Sequence, residues 1–116
     1  MTRLCLLALL LAPLALAAEN LYVSPTGDDA NNGLEGTPVR TLERARDLFR
    51  DAKLRGEAPE TVFLDNGTYR LERTLELGAA DAGLVVMALP GATPVLSGGR
   101  IVSGWTEGEG GVWKAA

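Results

Sequence analysis

The chain has 116 residues, with 11 Lys and Arg against 15 Asp and Glu, a formal net charge of −4, no histidine and one cysteine. That length holds one domain, and the acidic balance excludes a nucleic-acid binder with a basic face. Without histidine, no imidazole metal site, His-based triad or His general base can be built.

Met1 to Ala18 contains 15 apolar residues and a single charge, Arg3, with an apolar run from Leu4 to Leu16. The run is too short for a bilayer span and ends in the small residues Ala15-Leu16-Ala17-Ala18, as a secretory signal does. Its removal leaves 98 residues, 39 of them apolar, with a net charge of −5 and no membrane-spanning segment. Cys5 leaves with the signal, being too early and wrongly flanked for a lipid-anchored cysteine, so the mature chain lacks a thiol nucleophile or disulfide. Export without disulfides fits a secreted or periplasmic protein of bacterial type.

Leu21-Tyr22-Val23 is a short strand candidate. The stretch from Ser24 to Gly33 that follows is a loop of Pro, Gly, Asp and Asn, closed by Thr37-Pro38. From Thr41 to Leu54 the period becomes helical. Leu42, Ala45, Leu48, Phe49 and Ala52 fall on one face, and Glu43, Arg44, Arg46, Asp47, Arg50 and Asp51 lie elsewhere. Thr41 suits the N-cap, Glu43 the first turn, Lys53 and Arg55 the last turn, and Gly56 a left-handed stop.

Short strands separated by turns come next. Thr61-Val62-Phe63-Leu64 is stopped by Asp65-Asn66-Gly67, and Thr68 to Leu71 and Thr74 to Leu77 both alternate. Leu84 to Leu89 is a continuous apolar run, the pattern of a strand covered on both sides. Val95-Leu96, Ile101-Val102 and Val112-Trp113 are three further pieces set among glycines. One helix followed by six or seven short strands is unlike a βαβ alternation and leaves a small sandwich or the opening coils of a parallel β-solenoid. A solenoid needs its first coil shielded from water, which an amphipathic helix upstream of the first strands would do.

Several motifs carry a resemblance. Tyr22-Val23-Ser24-Pro25-Thr26-Gly27-Asp28-Asp29, Asn32-Gly33, Thr37-Pro38 and Thr41-Leu42-Glu43-Arg44-Ala45-Arg46-Asp47 resemble the opening segment of secreted right-handed parallel β-helix proteins of the pectate-lyase-like superfamily. Val62-Phe63-Leu64, Gly67-Thr68-Tyr69, Thr74-Leu75, Pro90-Gly91, Pro94 to Gly99 and Gly104-Trp105 continue it across nearly the whole mature chain. The resemblance implies a mainly β fold, with a helix-capped start of a parallel β-helix over residues 19–116. It also implies relatives that act on polysaccharides as glycoside hydrolases or lyases. Two departures stand out. Asp81-Ala82-Gly83 keeps only part of the acidic-Ser-Gly turn common in the family. The family's catalytic carboxylates, lysines and calcium ligands lie on coils beyond a point like Ala116, so none is carried over and the chain reads as an amino-terminal fragment.

Several residue types that could carry chemistry also suit structural roles. Asp28, Asp29, Asn31 and Asn32 supply oxygens for calcium, but their order is not that of an EF-hand loop, and Asx turns need the same residues. Glu72 and Glu76 do not share a helical face, and Asp65 beside Asn66-Gly67 suits a turn better than acid/base work. Asn66-Gly67-Thr68 has the form of a glycosylation acceptor, which matters only in a eukaryotic secretory route. Trp105 and Trp113 could stack on a sugar, although large aromatics beside glycines more often fill a core or cover an edge. Arg44, Arg46 and Arg50, interleaved with Glu43, Asp47 and Asp51, read as a solvated helix face. The sequence therefore assigns no catalytic, cofactor-binding or metal residue. It predicts the start of a secreted β-helix whose complete form cleaves glycosidic bonds in polysaccharide or oligosaccharide, through coils outside this chain. The alternative is a noncatalytic glycan-binding or adhesion-type surface solenoid.

Overall fold

A computed structural model describes residues 19–116, and the signal reading of residues 1–18 lies outside it. The described residues form seven short strands and one α-helix. In chain order these are β1 (Leu21–Val23), α1 (Leu42–Leu54), β2 (Val62–Leu64), β3 (Thr68–Arg70), β4 (Val86–Ala88), β5 (Val95–Ser97), β6 (Thr106–Glu107) and β7 (Trp113–Lys114). Short 3-10 turns sit at Ala79–Asp81 and Glu109–Gly111.

Strands of three residues cannot bury enough surface to stand alone, so each depends on lateral pairing. The strands β1, β2 and β4 form one parallel sheet in that order, with Leu21 beside Val62 and Val62 beside Val86. The strands β3 and β5 form a second parallel pair, with Tyr69 beside Leu96. Among the strands of the described residues, β6 and β7 are the pair that runs antiparallel, and Leu34 and Thr37 form an isolated antiparallel bridge. The chain thus opens with a β1–α1–β2 crossover between neighbouring parallel strands, which the sequence pattern did not reveal. Two strand expectations, Thr74 to Leu77 and Ile101-Val102, are not met, because these stretches pair with no strand.

The helix forms as its sequence predicts. The Thr41 hydroxyl accepts a hydrogen bond from the Arg44 N–H at 3.2 Å. At the other end Gly56, at φ +72°, lets Gly56 N–H reach the Lys53 carbonyl and Glu57 N–H reach that of Ala52. That pairing is the glycine-dependent Schellman stop. Leu42, Ala45, Phe49 and Ala52 are buried, and Leu48 packs partly buried at their side. Leu42, Ala45 and Phe49 share one core with Leu21, Val23, Val39, Val62, Leu64 and Tyr69. Tyr69 ties the layers together, since its hydroxyl lies 2.9 Å from the carbonyls of both Val23 and Asp65. Burial, reinforced by the Asp65 carboxylate, pushes its pKa up to about 12, so the phenol stays protonated.

The charged side of the helix is not simply solvated. Arg50 pairs bidentately with Asp81, Nε to Oδ1 at 2.7 Å and an Nη to Oδ2 at 2.6 Å. Arg46 donates to the Glu76 carbonyl and Lys53 to that of Ala82. Three cations one helical turn apart thereby strap the segment 76–82 onto α1, a long-range arrangement invisible to helical periodicity. The Arg50 guanidinium holds the Asp81 carboxyl down to about 2 against the opposing effect of desolvation, helped by the Gly78 N–H.

The two ends of the parallel sheet differ. The outer edge of β1 is taken up by the opening loop. Tyr22 N–H donates to the Gly33 carbonyl, Val39 N–H to that of Tyr22, and Ser24 N–H to that of Val39. The outer edges of β4 and β5 meet no strand. Burial follows this asymmetry: Val62 is 1% exposed and its neighbour Val86 42%, while Tyr69 is 5% exposed and its neighbour Leu96 53%. The run Leu84 to Leu89, expected to be covered on both sides, is therefore open, with Val85, Val86 and Met87 all exposed, because β4 is the last strand of its sheet.

Phe49→Ala empties the centre of this core and is expected to lower unfolding free energy by about 3–5 kcal/mol in a urea titration. A depressed carboxyl stabilises the fold above its unfolded pKa and ceases to do so as pH falls through its folded value. The Asp81 contribution is accordingly present above about pH 4 and lost towards pH 2. In Asp81→Asn the urea midpoint at neutral pH should drop, and its decline between those pH values should become shallower.

Candidate functional site

An open cleft of about 630 Å³ lies between the first turn of α1 and the chain from β3 onward. Pro25, Asp29, Arg40, Thr41, Glu43 and Arg44 line one side, and Tyr69, Arg70, Glu72 and Arg73 the other. The volume is that of an ordinary small-ligand site. Its lining is strongly charged. Among the described residues, Arg40, Arg44, Arg70 and Arg73 take part in no ion pair.

Asp29 organises the helix side of the cleft. Its Oδ1 accepts from the N–H groups of Arg40 and Thr41 at 2.8 and 2.9 Å, and its Oδ2 accepts from the Thr41 hydroxyl at 2.8 Å. The Arg44 Nε returns a hydrogen bond to the Asp29 carbonyl at 3.1 Å. Burial raises the Asp29 pKa, but the Thr41 hydroxyl, the two N–H donors and the Arg40 charge together outweigh it, so the net shift is downward. Asp29 thus anchors the helix cap from twelve residues upstream.

Its neighbours are engaged separately. The Asp28 carboxylate accepts from Ala30 N–H, Asn31 Nδ2 donates to the Pro38 carbonyl, and the Asn32 side-chain oxygen accepts from Leu34 N–H and the Thr37 hydroxyl. The Asp28 and Asn32 contacts two residues on are Asx-type turns, and the Asn31 and Thr37 contacts pin the loop across itself, so the four side chains point to separate partners. No group of three or more His, Cys, Asp or Glu side chains suited to a metal occurs among the described residues.

The remaining acidic candidates do not converge either. Asp65 accepts from Asn66 N–H and shapes the turn between β2 and β3. Asn66 reaches across to the following turn, where its side-chain oxygen accepts from Thr93 N–H at 2.7 Å. Glu72 lines the cleft, whereas Glu76 serves the structure through its backbone carbonyl. A general acid for glycoside cleavage needs a raised pKa. Asp29 and Asp81 are both shifted the other way, and both are committed to structural donors. The cleft is equipped to hold a polar ligand through guanidinium and carboxylate hydrogen bonds. Arg44, read from the sequence as part of a solvated helix face, bonds the Asp29 carbonyl and lines the cleft, while Arg40, Arg70 and Arg73 escaped sequence reasoning because they join it only through folding. No helix among the described residues is long and apolar enough to cross a membrane.

Replacement of Asp29 by Ala leaves the Thr41 and Arg40 donors without their charged acceptor, at an expected cost of about 1.5–3 kcal/mol in unfolding free energy. Asp28→Ala removes one local turn contact and should cost less than half of that. Addition of calcium should leave the thermal midpoint of the wild-type chain unchanged, and a calcium-dependent rise lost in Asp29→Ala would reverse the assignment of Asp29 to the helix cap.

No family model matches this chain, and no curated protein does. A solved structure named "Glycoside hydrolase" is similar to it, with a TM-score of 0.72 and 27% sequence identity over 79% of this chain. The chain spans 17% of the length of that structure. In backbone and in sequence, this protein therefore resembles part of a carbohydrate-active protein.

Proposed function

We propose that the chain is the helix-capped start of a secreted right-handed parallel β-helix, and that the complete protein cleaves glycosidic bonds in a polysaccharide or oligosaccharide. The observation that carries the reading is the similarity to a glycoside hydrolase over 79% of the chain. The parallel pairing supports it. The strands β2 and β3 are followed at 24 and 27 residues by β4 and β5, parallel and in register beside them, which is the spacing a stack of coils would have. The closed outer edge of β1 and the half-exposed apolar side chains of β4 and β5 support growth of such a stack at one end only.

Chemistry in this proposal belongs to further coils, since the carboxylates of residues 19–116 whose environments perturb them are held low by structural partners. The part of the present chain is to close the stack and to contribute binding surface. The noncatalytic alternative, a glycan-binding surface solenoid, uses the same start, so fold alone does not separate the two.

Residues 19–116 should bind polysaccharide in affinity electrophoresis without releasing reducing ends or unsaturated products. The protein carrying the further coils should release one or the other from the same polysaccharide. Binding with no product from that longer protein favours the noncatalytic alternative. Failure of both proteins to bind any of a broad set of plant, algal and bacterial polysaccharides overturns the carbohydrate reading.

A further inference from the structure

The antiparallel hairpin of β6 and β7 belongs to neither parallel ladder and is almost entirely exposed. Its register places Thr106 opposite Lys114 and Glu107 opposite Trp113. The pairing runs on at both ends. Gly108 N–H donates to the Val112 carbonyl at 2.7 Å, and a Cβ on Gly104 would lie 3.7 Å from that of Ala116. Trp105 is therefore opposite Ala115. Opposed residues of an antiparallel pair share a face, and side chains alternate with period two. One face consequently carries Trp105, Glu107 and Trp113 together, and the other carries Thr106, Val112 and Lys114.

The two tryptophans are 54% and 56% exposed, so neither fills a core nor covers an edge among the described residues. The Trp105 indole is also held in place, because its Nε1 donates to the Val102 carbonyl at 3.0 Å. With that donor satisfied internally, what Trp105 offers outward is the apolar ring. From this juxtaposition we infer that the Trp105–Glu107–Trp113 face is a saccharide-binding platform, the indoles stacking on sugar rings and the Glu107 carboxylate accepting hydrogen bonds from sugar hydroxyls. The inference rests on the carbohydrate reading above and names a site for it separate from the arginine-lined cleft.

Glu107 decides between a glycan and a covering polypeptide. An apolar protein surface laid over the two indoles would take the carboxylate between them out of water with no donor to meet it, a costly arrangement. A sugar presents apolar C–H faces to aromatic rings and hydroxyl donors at its rim, which matches ring, carboxylate and ring on one face. Lys114, being on the opposite face, does not neutralise Glu107 across the ribbon, so the platform suits neutral better than acidic sugars.

The chain contains only these two tryptophans, so tryptophan emission reports on this face alone. Neutral oligosaccharides of the xylan, cellulose and mannan types are titrated into the wild-type protein while emission and, separately, calorimetric heat are followed. The expected result is a saturable emission change whose midpoint agrees with the heat. Trp105→Ala and Trp113→Ala should each weaken binding about tenfold, the loss of one aromatic stacking contact. Glu107→Gln should weaken it severalfold, with Glu109→Gln unchanged. Trp105→Phe and Trp113→Phe keep a ring and the hairpin, and should retain most of the heat. Calorimetric glycan binding that leaves the emission unaltered and survives the double alanine variant overturns this site while sparing the carbohydrate reading. An emission change that follows protein concentration instead of added sugar assigns the face to a second copy of the chain and also overturns the site. The absence of heat with every glycan overturns this site, and the carbohydrate reading falls with it only if the longer protein also binds none.

Discussion

Both backbone groups of Tyr22 are spent on the opening loop, its N–H on the Gly33 carbonyl and its carbonyl on the Val39 N–H. On this closure the rest of the structure depends. A sheet built from three-residue strands has two exposed edges, each a row of unpaired donors and acceptors that invites another chain. Here the stretch that looks least structured, Ser24 to Val39, covers one of them. Val39 is fully buried in doing so and joins the core beneath α1. The loop also lies close against itself: a Cβ on Gly27 would sit 2.5 Å from the Val39 carbonyl oxygen, so only glycine fits there.

The helix is held to that closed end by two kinds of force. Its apolar stripe, centred on the fully buried Phe49, provides non-directional burial. Its polar contacts provide direction. Asp29 fixes the first turn, while Arg46, Arg50 and Lys53 fix the far side through Glu76, Asp81 and Ala82. Of these, Asp81 is the one whose burial demands a partner, and the bidentate geometry of Arg50 supplies it. The same residue also braces its own turn through the Gly78 N–H. The acidic residue of the Asp81-Ala82-Gly83 turn thus has a structural use here.

The two ends of the sheet also differ in the groups they present. At the closed end Asp29, Arg46, Arg50 and Asp81 are engaged with the backbone or with each other, and the perturbed carboxylates are held in their charged state. That is the behaviour of groups that build a fold, whereas proton transfer asks for a carboxyl poised nearer neutrality. Away from it, apolar side chains of β4, β5 and the hairpin stand in water. Exposed apolar surface on this scale marks sites of contact. In the reading proposed above, the parallel edges take polypeptide that continues the same ladders, and the hairpin face, with Glu107 opposite Trp113, takes a sugar.

Local rules were enough for some of this. Helical spacing, the Thr41 cap and the Gly56 stop marked α1 within the sequence, because each is decided by residues a few positions apart. The β-branched and aromatic run at Val62, the Asp65-Asn66-Gly67 turn and the Asx character of the opening loop were legible on the same grounds. Pairing was not. That β1 lies beside β2, that Leu84 to Leu89 forms a last strand and not an enclosed one, and that Thr74 to Leu77 pairs with nothing depend on contacts twenty or more residues apart, to which alternation is blind. The same holds for Arg50 with Asp81, for Arg70 and Arg73 facing Asp29 and Arg44, and for two tryptophans eight residues apart on one face. Sequence alone settled which residues could cap, turn or bury. Tertiary structure decided which edges are closed and which side chains meet, since hydrogen-bond partners across a sheet are chosen in space and leave no period in the chain.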